Sequence, residues 1–181
     1  MNDLKPIILD NGITLIHPLR TVDLQGINEL TDNLFEILND EENTEFIPEK
    51  RIENKDKLSE QLLGVTLQYH QKLGYTHFIR LKANNEVLGQ INIITPKAVK
   101  LTSAYNIENS WFIEYFLNKK VWGFGIMSKA IKAIVENMKI QGVETISALC
   151  MPENIASIKI LEKSGFKRIK QFDLKQDLYQ I

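Results

Sequence analysis

The sequence predicts an α/β fold: a mixed sheet with helices on both faces, built as one domain over residues 1–181. Three observations carry this. Strand-like and helix-like patterns follow one another in the order β-α-α-β-β-β-α-β-α-β. A hairpin in the middle of the chain gives way to β-α-β units, which demand parallel as well as antiparallel pairing. The chain's 181 residues, 44% apolar and 25% charged, suffice for one sizeable core without disulfides or metal.

Each element follows from its local pattern. Gly12–Leu19 reads as a first strand that Pro18 should end. Thr21 or Asp23 can cap the next helix, whose Leu24, Ile27, Leu30, Leu34 and Leu38 step by three or four. A second helix should run from Glu53 to Leu73, with Leu58, Leu62, Val65, Tyr69 and Leu73 as its stripe and Gly74 as its cap. Tyr75–Leu81 and Glu86–Ile94 flank an Asn-rich turn and read as a hairpin. Trp111–Leu117 is an aromatic-rich strand. A helix opens near Gly123 and turns Met127, Ala130 or Ile131, Ile134 and Met138 to the core. Val143–Leu149 is a strand, Asn154 can cap a helix that Gly165 stops, and Phe166–Phe172 is a strand, with one more short strand between Leu174 and Tyr179. The polar run Asn39–Glu45 reads as a solvated loop between helices, with a substrate-selecting loop as the alternative.

Charge and cysteine usage narrow the function classes. Lys and Arg number 22 against 23 Asp and Glu, so the net charge of −1 gives no footprint for nucleic acid or an anionic membrane. A single cysteine, Cys150, excludes an intramolecular disulfide, and three scattered histidines give no metal-ligand spacing, so no metal is expected. The opening Met-Asn-Asp-Leu-Lys does not resemble a signal peptide, and no apolar run reaches the roughly 18 residues of a membrane span. The expectation is a soluble cytoplasmic protein with a reduced, buried cysteine.

The chemistry-bearing stretch is Leu117-Asn118-Lys119-Lys120-Val121-Trp122-Gly123-Phe124-Gly125-Ile126-Met127-Ser128. A strand, a short turn and two glycines lead into an amphipathic helix. Glycines allow a tight turn and close ligand approach. The first helical N–H groups lack intrahelical partners and lie at the positive end of the helix dipole. Together they form a cradle for phosphate or pyrophosphate, although a plain strand-to-helix turn reads the same way. A Rossmann fingerprint would need a third glycine where Ser128 stands, and a P-loop would need Gly-Lys-Ser/Thr.

A second stretch, Asn154-Ile155-Ala156-Ser157-Ile158-Lys159-Ile160-Leu161-Glu162-Lys163-Ser164-Gly165-Phe166, lies one strand further on. With Trp-Gly-x-Gly at the helix head, it resembles the GCN5-related N-acetyltransferase superfamily. The resemblance runs from the opening strand to Phe172. Tyr115-Phe116-Leu117 before Trp122-Gly123 is similar to the ribosomal-protein branch, resembling the RimJ/RimL-like enzymes. Three positions depart from the pattern: Lys120 where the superfamily often has Arg or Gln, Leu161 where many members carry a thiolate-protonating Tyr, and Glu114 where the branch commonly has Gly.

The resemblance implies a mostly antiparallel sheet whose fourth and fifth strands splay apart. It implies acetyl-CoA as cosubstrate, without metal, and direct transfer of acetyl to a primary amine in a ternary complex. The pyrophosphate would sit against Trp122, Gly123, Phe124, Gly125, Ile126, Met127 and Ser128, and the pantetheine arm would pair with the backbone of Phe116 and Leu117. Asn154 is the expected partner of that arm and Lys159 of the nucleotide end. The Leu117 amide would steady the oxyanion. Glu114 is the first candidate base and His77 the second, with a water chain as the alternative to both. Ser157, one turn after Asn154, is the expected aid to the departing thiolate, or else a local helix cap. The acceptor is an amine, a protein N-terminus or a small molecule; monomer and homodimer stay open. The competing reading is a CoA-binding regulatory or interaction module without turnover.

Overall fold

The computed structural model describes residues 4–10, 14–19, 21–102, 107 and 109–181. Among these described residues eight strands form one sheet in the order β1-β2-β3-β4-β5-β6-β8-β7. They are β1 (Leu9–Asp10), β2 (Thr14–Pro18), β3 (Gly74–Leu81), β4 (Val87–Ile94), β5 (Trp111–Leu117), β6 (Ile146–Cys150), β7 (Lys167–Gln171) and β8 (Asp177–Gln180). The α-helices of the described residues are α1 (Ile27–Leu38), α2 (Lys55–His70), α3 (Pro96–Thr102), α4 (Ile126–Ile140) and α5 (Ile155–Lys163).

All pairings are antiparallel except β5 with β6. These are the strands expected to splay, and they do. Their register holds only Trp111 opposite Ile146 and Phe112 opposite Ser147. At this closed end the buried Ser110 and Ser147 hydroxyls lie 2.7 Å apart, and Gln180 donates to Ser147 Oγ at 3.0 Å. Beyond Phe112 the two strands diverge, and β5 loses its neighbour on that side.

Strand alternation distributes the core to the two faces. Phe78, Val87 and Phe116 pack with Leu30, Leu34, Ile37 and Leu38 of α1 and Leu58 and Leu62 of α2. Ile79, Ile91, Ile93 and Ile113 pack on the other side with Met127, Ala130, Ile131, Ile134 and Met138 of α4 and Leu161 of α5. Gly89 lies opposite Leu117, and a Cβ there would come within 2.4 Å of the Phe116 carbonyl oxygen. Only glycine lets β4 approach β5 this closely.

Several boundaries differ from expectation. Thr21–Gly26 is a 3-10 helix, and α1 starts after Gly26 with no side-chain cap, so Thr21 does not cap it. Thr21 Oγ1 instead meets His70 Nε2 at 2.9 Å. Asn54 caps α2 by accepting from the N–H groups of Asp56 and Lys57. The left-handed residue after α2 is Lys72, φ 59°, while Gly74 already belongs to β3. One strand and one α-helix are additional to the sequence reading: β1, only two residues long, and α3. Thr95 and Pro96 are a cap and a first-turn proline, and Thr95 Oγ1 accepts from the Ala98 N–H, so α3 had a local signal.

Candidate active site

A cleft of about 360 Å³ opens where β5 and β6 part. Its walls come from Tyr115, Phe116 and Leu117 of β5, from the turn and first residues of α4, from α5, and from the loop between α1 and α2.

The glycine turn is built as the sequence suggests. Gly123 and Gly125 adopt φ of 81° and 73°, and Gly125 is the residue from which α4 starts. Both positions are open, with nothing within 4 Å of a built Cβ. The backbone is thus approachable, and a side chain there would be strained by its positive φ. Gly123, Gly125, Ile126, Met127 and Ser128 line the cleft with Trp122 and Val121. Phe124 is not in that wall and is 73% exposed. Lys159 and Lys163 of α5 add cationic groups to the cleft; Lys163 was not anticipated.

Backbone alternation decides which groups of β5 face the gap. The Asn118 N–H donates to the Leu88 carbonyl at 2.7 Å, so Asn118 and Phe116 turn their peptide groups toward β4. Tyr115 and Leu117 turn theirs the other way, toward the missing partner. Phe116 therefore contributes a cleft wall rather than strand pairing, which corrects half of the expected pantetheine contact. The Leu117 carbonyl already accepts from the Trp122 indole N–H at 2.7 Å. The Leu117 N–H remains directed at the gap.

On α5, Asn154 caps the helix by accepting from the Ser157 N–H at 3.0 Å. Capping thus falls to Asn154, and the Ser157 hydroxyl does something else. It lies 2.7 Å from the Tyr115 hydroxyl, and both residues line the cleft. Burial holds the Tyr115 phenol far above its ordinary value, with the Ser157 hydrogen bond pulling the other way. Cys150, buried beside them, is raised chiefly by burial and stays a thiol. Leu161, at the position where a Tyr was missed, is buried in the core.

The two side chains put forward as bases lie elsewhere. Glu114 pairs with Lys50 at 2.8 Å and is not among the cleft-lining residues. His77 is 1% exposed in β3; its Nδ1 donates to the Tyr75 carbonyl, and burial lowers its pKa to about 4. The loop read as solvated does expose Glu41, Glu42 and Glu45, and it is also part of the site: Glu42, Asn43, Glu45, Phe46 and Ile47 line the cleft. Lys119 holds it there, with Nζ 2.8 Å from Asp40 and 3.0 Å from Glu42 and its N–H donating to Asn43 Oδ1. That pairing lowers the Asp40 pKa and raises that of Lys119. Among the described residues no group of three or more His, Cys, Asp or Glu could hold a metal, and no helix is long and apolar enough to cross a membrane.

Residues 21–167 match the family model described as an acetyltransferase (GNAT) domain. The chain belongs to the GNAT acetyltransferase family. A probable N-acetyltransferase, YjcK of Bacillus subtilis, is 39% identical over 61 residues, 32% of each chain. The chain thus aligns with about a third of that GNAT relative's length. Solved GNAT structures share the fold over nearly full length. Ribosomal-protein-S5-alanine acetyltransferase from Vibrio fischeri gives a TM-score of 0.74 at 18% identity, covering 97% of this chain and 96% of that one. The microcin C7 self-immunity acetyltransferase MccE, solved with acetyl-CoA and AMP, gives 0.72 at 16% identity, covering 99% and 98%. The ribosomal L7/L12 acetyltransferase RimL, solved with coenzyme A, gives 0.67 at 15% identity, covering 98% and 97%. Within this GNAT fold, the diverging strands and the Gly123–Ser128 turn meet at the cleft.

Proposed function

We propose that this GNAT protein is an acetyl-CoA-dependent N-acetyltransferase that passes acetyl directly to a primary amine. One observation carries the reading: the open, positive-φ glycines at the head of α4 lie in the same cleft as the unpaired edge of β5. The first supplies N–H groups for a pyrophosphate, and the second supplies a strand edge for an extended amide-bearing arm. Acetyl-CoA is the cosubstrate with both features, and Lys159 and Lys163 favour its anionic end.

In the transfer, the amine nitrogen attacks the thioester carbonyl, a C–N bond forms, the C–S bond breaks, and the electron pair leaves on sulfur. The Leu117 N–H is oriented to donate to the oxyanion, and the Ser157 hydroxyl to the sulfur as charge builds there. The amine must give up its proton. Glu114 is held by Lys50, and His77 is buried away from the cleft. The reading therefore assigns deprotonation to water, which suits an α-amine, with an ordinary pKa of ~8, better than a lysine near ~10.4. This supports a protein or peptide N-terminus as acceptor. The cleft side of the α1–α2 loop, with Glu42, Glu45 and Phe46, is the proposed acceptor wall.

Release of free CoA from acetyl-CoA over a panel of amines, N-terminal peptides included, tests the reading. Peptide-dependent release is expected. Tight CoA binding with no release across the panel would replace the enzyme by a binding module.

A further inference from the structure

Tyr115 comes from β5 and Ser157 from the first turn of α5, on opposite walls of the cleft, and their hydroxyls meet at 2.7 Å. The phenol O–H also reaches the Ser157 carbonyl as donor, at the longer distance of 3.3 Å. The Ser157 N–H is taken by Asn154 Oδ1, so the serine's backbone is fixed by one residue and its side chain by another.

A serine hydroxyl has one proton and two lone pairs. If the serine donates to the phenol, it has nothing to offer a sulfur. If the phenol donates to the serine, the serine's proton is left for another acceptor: the neighbouring Cys150 sulfur, a weak one, or a group in the cleft. We propose that Tyr115 is a positioning residue: its hydroxyl donates to Ser157 Oγ and so turns the serine proton into the cleft, toward the departing sulfur. This rests on the acetyltransferase reading and on the role given there to Ser157. No proton need leave Tyr115. The phenol stays protonated, as its burial requires, and polarises the serine O–H that hydrogen-bonds the thiolate. The arrangement makes up from β5 for the phenol that position 161 lacks, where Leu161 is packed into the core.

The consequence is a dependence between two residues. Ser157→Ala should lower kcat roughly tenfold or more with little change in KM for acetyl-CoA, because the bond matters most as charge builds on sulfur. Tyr115→Phe, which keeps the ring and loses only the hydroxyl, should lower kcat severalfold, again with KM nearly unchanged. In the double variant the tyrosine change should add nothing, because the group through which it acts is gone. A purely structural hydroxyl would instead lower the melting temperature and leave kcat alone.

The experiment measures kcat, KM and melting temperature for the two single variants and the double. Ser157→Ala and Tyr115→Phe both slowed, with no added loss in the double, supports the proposal. Ser157→Ala slowed and Tyr115→Phe at full kcat overturns the role of Tyr115 and leaves that of Ser157 standing. Ser157→Ala at full kcat overturns both. Tyr115→Phe slowing the Ser157→Ala enzyme as much as the native one shows the phenol acting without the serine, which also overturns the proposal. Should Tyr115→Phe not fold, difluorotyrosine at position 115 preserves the shape while making the phenol easier to ionise. The alkaline fall of kcat should then begin at lower pH with KM unchanged; an unmoved limb overturns the proposal.

Discussion

The indole N–H of Trp122 donates to the carbonyl of Leu117 at 2.7 Å, closing the turn between β5 and α4 on itself. That carbonyl points into the gap left by β6, where no strand satisfies it. The bond therefore ties the glycine turn to the strand edge whose N–H groups face the cleft. Trp122→Phe keeps an aromatic ring and removes the donor. One such bond contributes about 1 kcal/mol, so the melting temperature should fall by roughly 2–4 °C. KM for acetyl-CoA should rise severalfold, because the turn and strand lose their fixed relation. Unchanged KM in the folded variant would detach Trp122 from cofactor binding.

Gly125 makes a sharper case. Its φ of 73° is the left-handed region, which costs a side-chain-bearing residue roughly 1–2 kcal/mol. The space around it is open, so Gly125→Val is strained but not blocked by neighbours within the protein. The fold should survive, and the valine should stand where a pyrophosphate approaches the amides. Titration calorimetry with CoA should show at least a tenfold loss of affinity. A folded Gly125→Val protein with native affinity would remove the turn from the cofactor site.

What was legible in the sequence was local. The Gly123 and Gly125 turn, the Asn154 cap and the Gly165 stop each depend on a few adjacent residues, and each sits where its pattern placed it. The long helices and the β3–β4 hairpin followed from periodicity, and the helix α3 could have followed from Thr95-Pro96. The pairings that decide the site are not local. Tyr115 meets Ser157 across 42 positions, Lys50 meets Glu114 across 64 and Lys119 meets Asn43 across 76. Which face of β5 meets the cleft depends on the pairing with β4, and alternation alone could not choose between Glu114 and Tyr115. The polar loop of residues 39–45 looked solvated because its composition is the same whether its acids face water or a cleft.

Asn154 separates capping from ligand contact. Its Oδ1 accepts from the Ser157 N–H, which leaves its amide NH₂ for the cleft. Asn154→Ala removes both and should cost about 1 kcal/mol of stability as well as cofactor affinity. Asn154→Asp keeps the cap and places a negative charge at a helix N-terminus, where it is welcome. The Asp variant should therefore melt near the native temperature yet bind acetyl-CoA more weakly. Native affinity in the Asp variant would confine Asn154 to capping.

The Lys50–Glu114 pair joins the end of the α1–α2 loop to β5. Both side chains are about one-third exposed, so the pair should contribute under ~1 kcal/mol to stability. Its proposed effect is on the acceptor side. Glu114→Gln and Lys50→Met should each raise KM for the amine severalfold and leave the acid limb of the kcat profile in place. Loss of that limb in Glu114→Gln alone would restore Glu114 as the base.

His77 gives the fold a defined response to acid. The ring is buried, its Nδ1–H bonds the Tyr75 carbonyl, and Nε2 has no hydrogen-bond partner among the described residues. Burial, the largest influence, lowers its pKa from 6.5 to about 4; the hydrogen bond to Tyr75 opposes this and His17 reinforces it. In the unfolded chain the imidazole takes up a proton as pH falls below about 6.5, whereas in the folded chain it does not until about pH 4. Between those values the unfolded state binds more protons. The contribution of neutral His77 is therefore fully present above pH 6.5 and is lost as pH falls toward 4, at roughly 1 kcal/mol per pH unit. His77→Asn keeps a donor for the Tyr75 carbonyl and cannot titrate. The variant should be less stable than the native protein at pH 7.5, because it leaves a cavity, but its stability should fall less steeply between pH 6.5 and 5. Urea unfolding at half-unit steps reads the two slopes directly, and the other titrating groups, common to both proteins, cancel in the difference. Equal slopes would mean that His77 titrates alike in the folded and unfolded chains, and would remove burial of the neutral ring as a source of acid sensitivity.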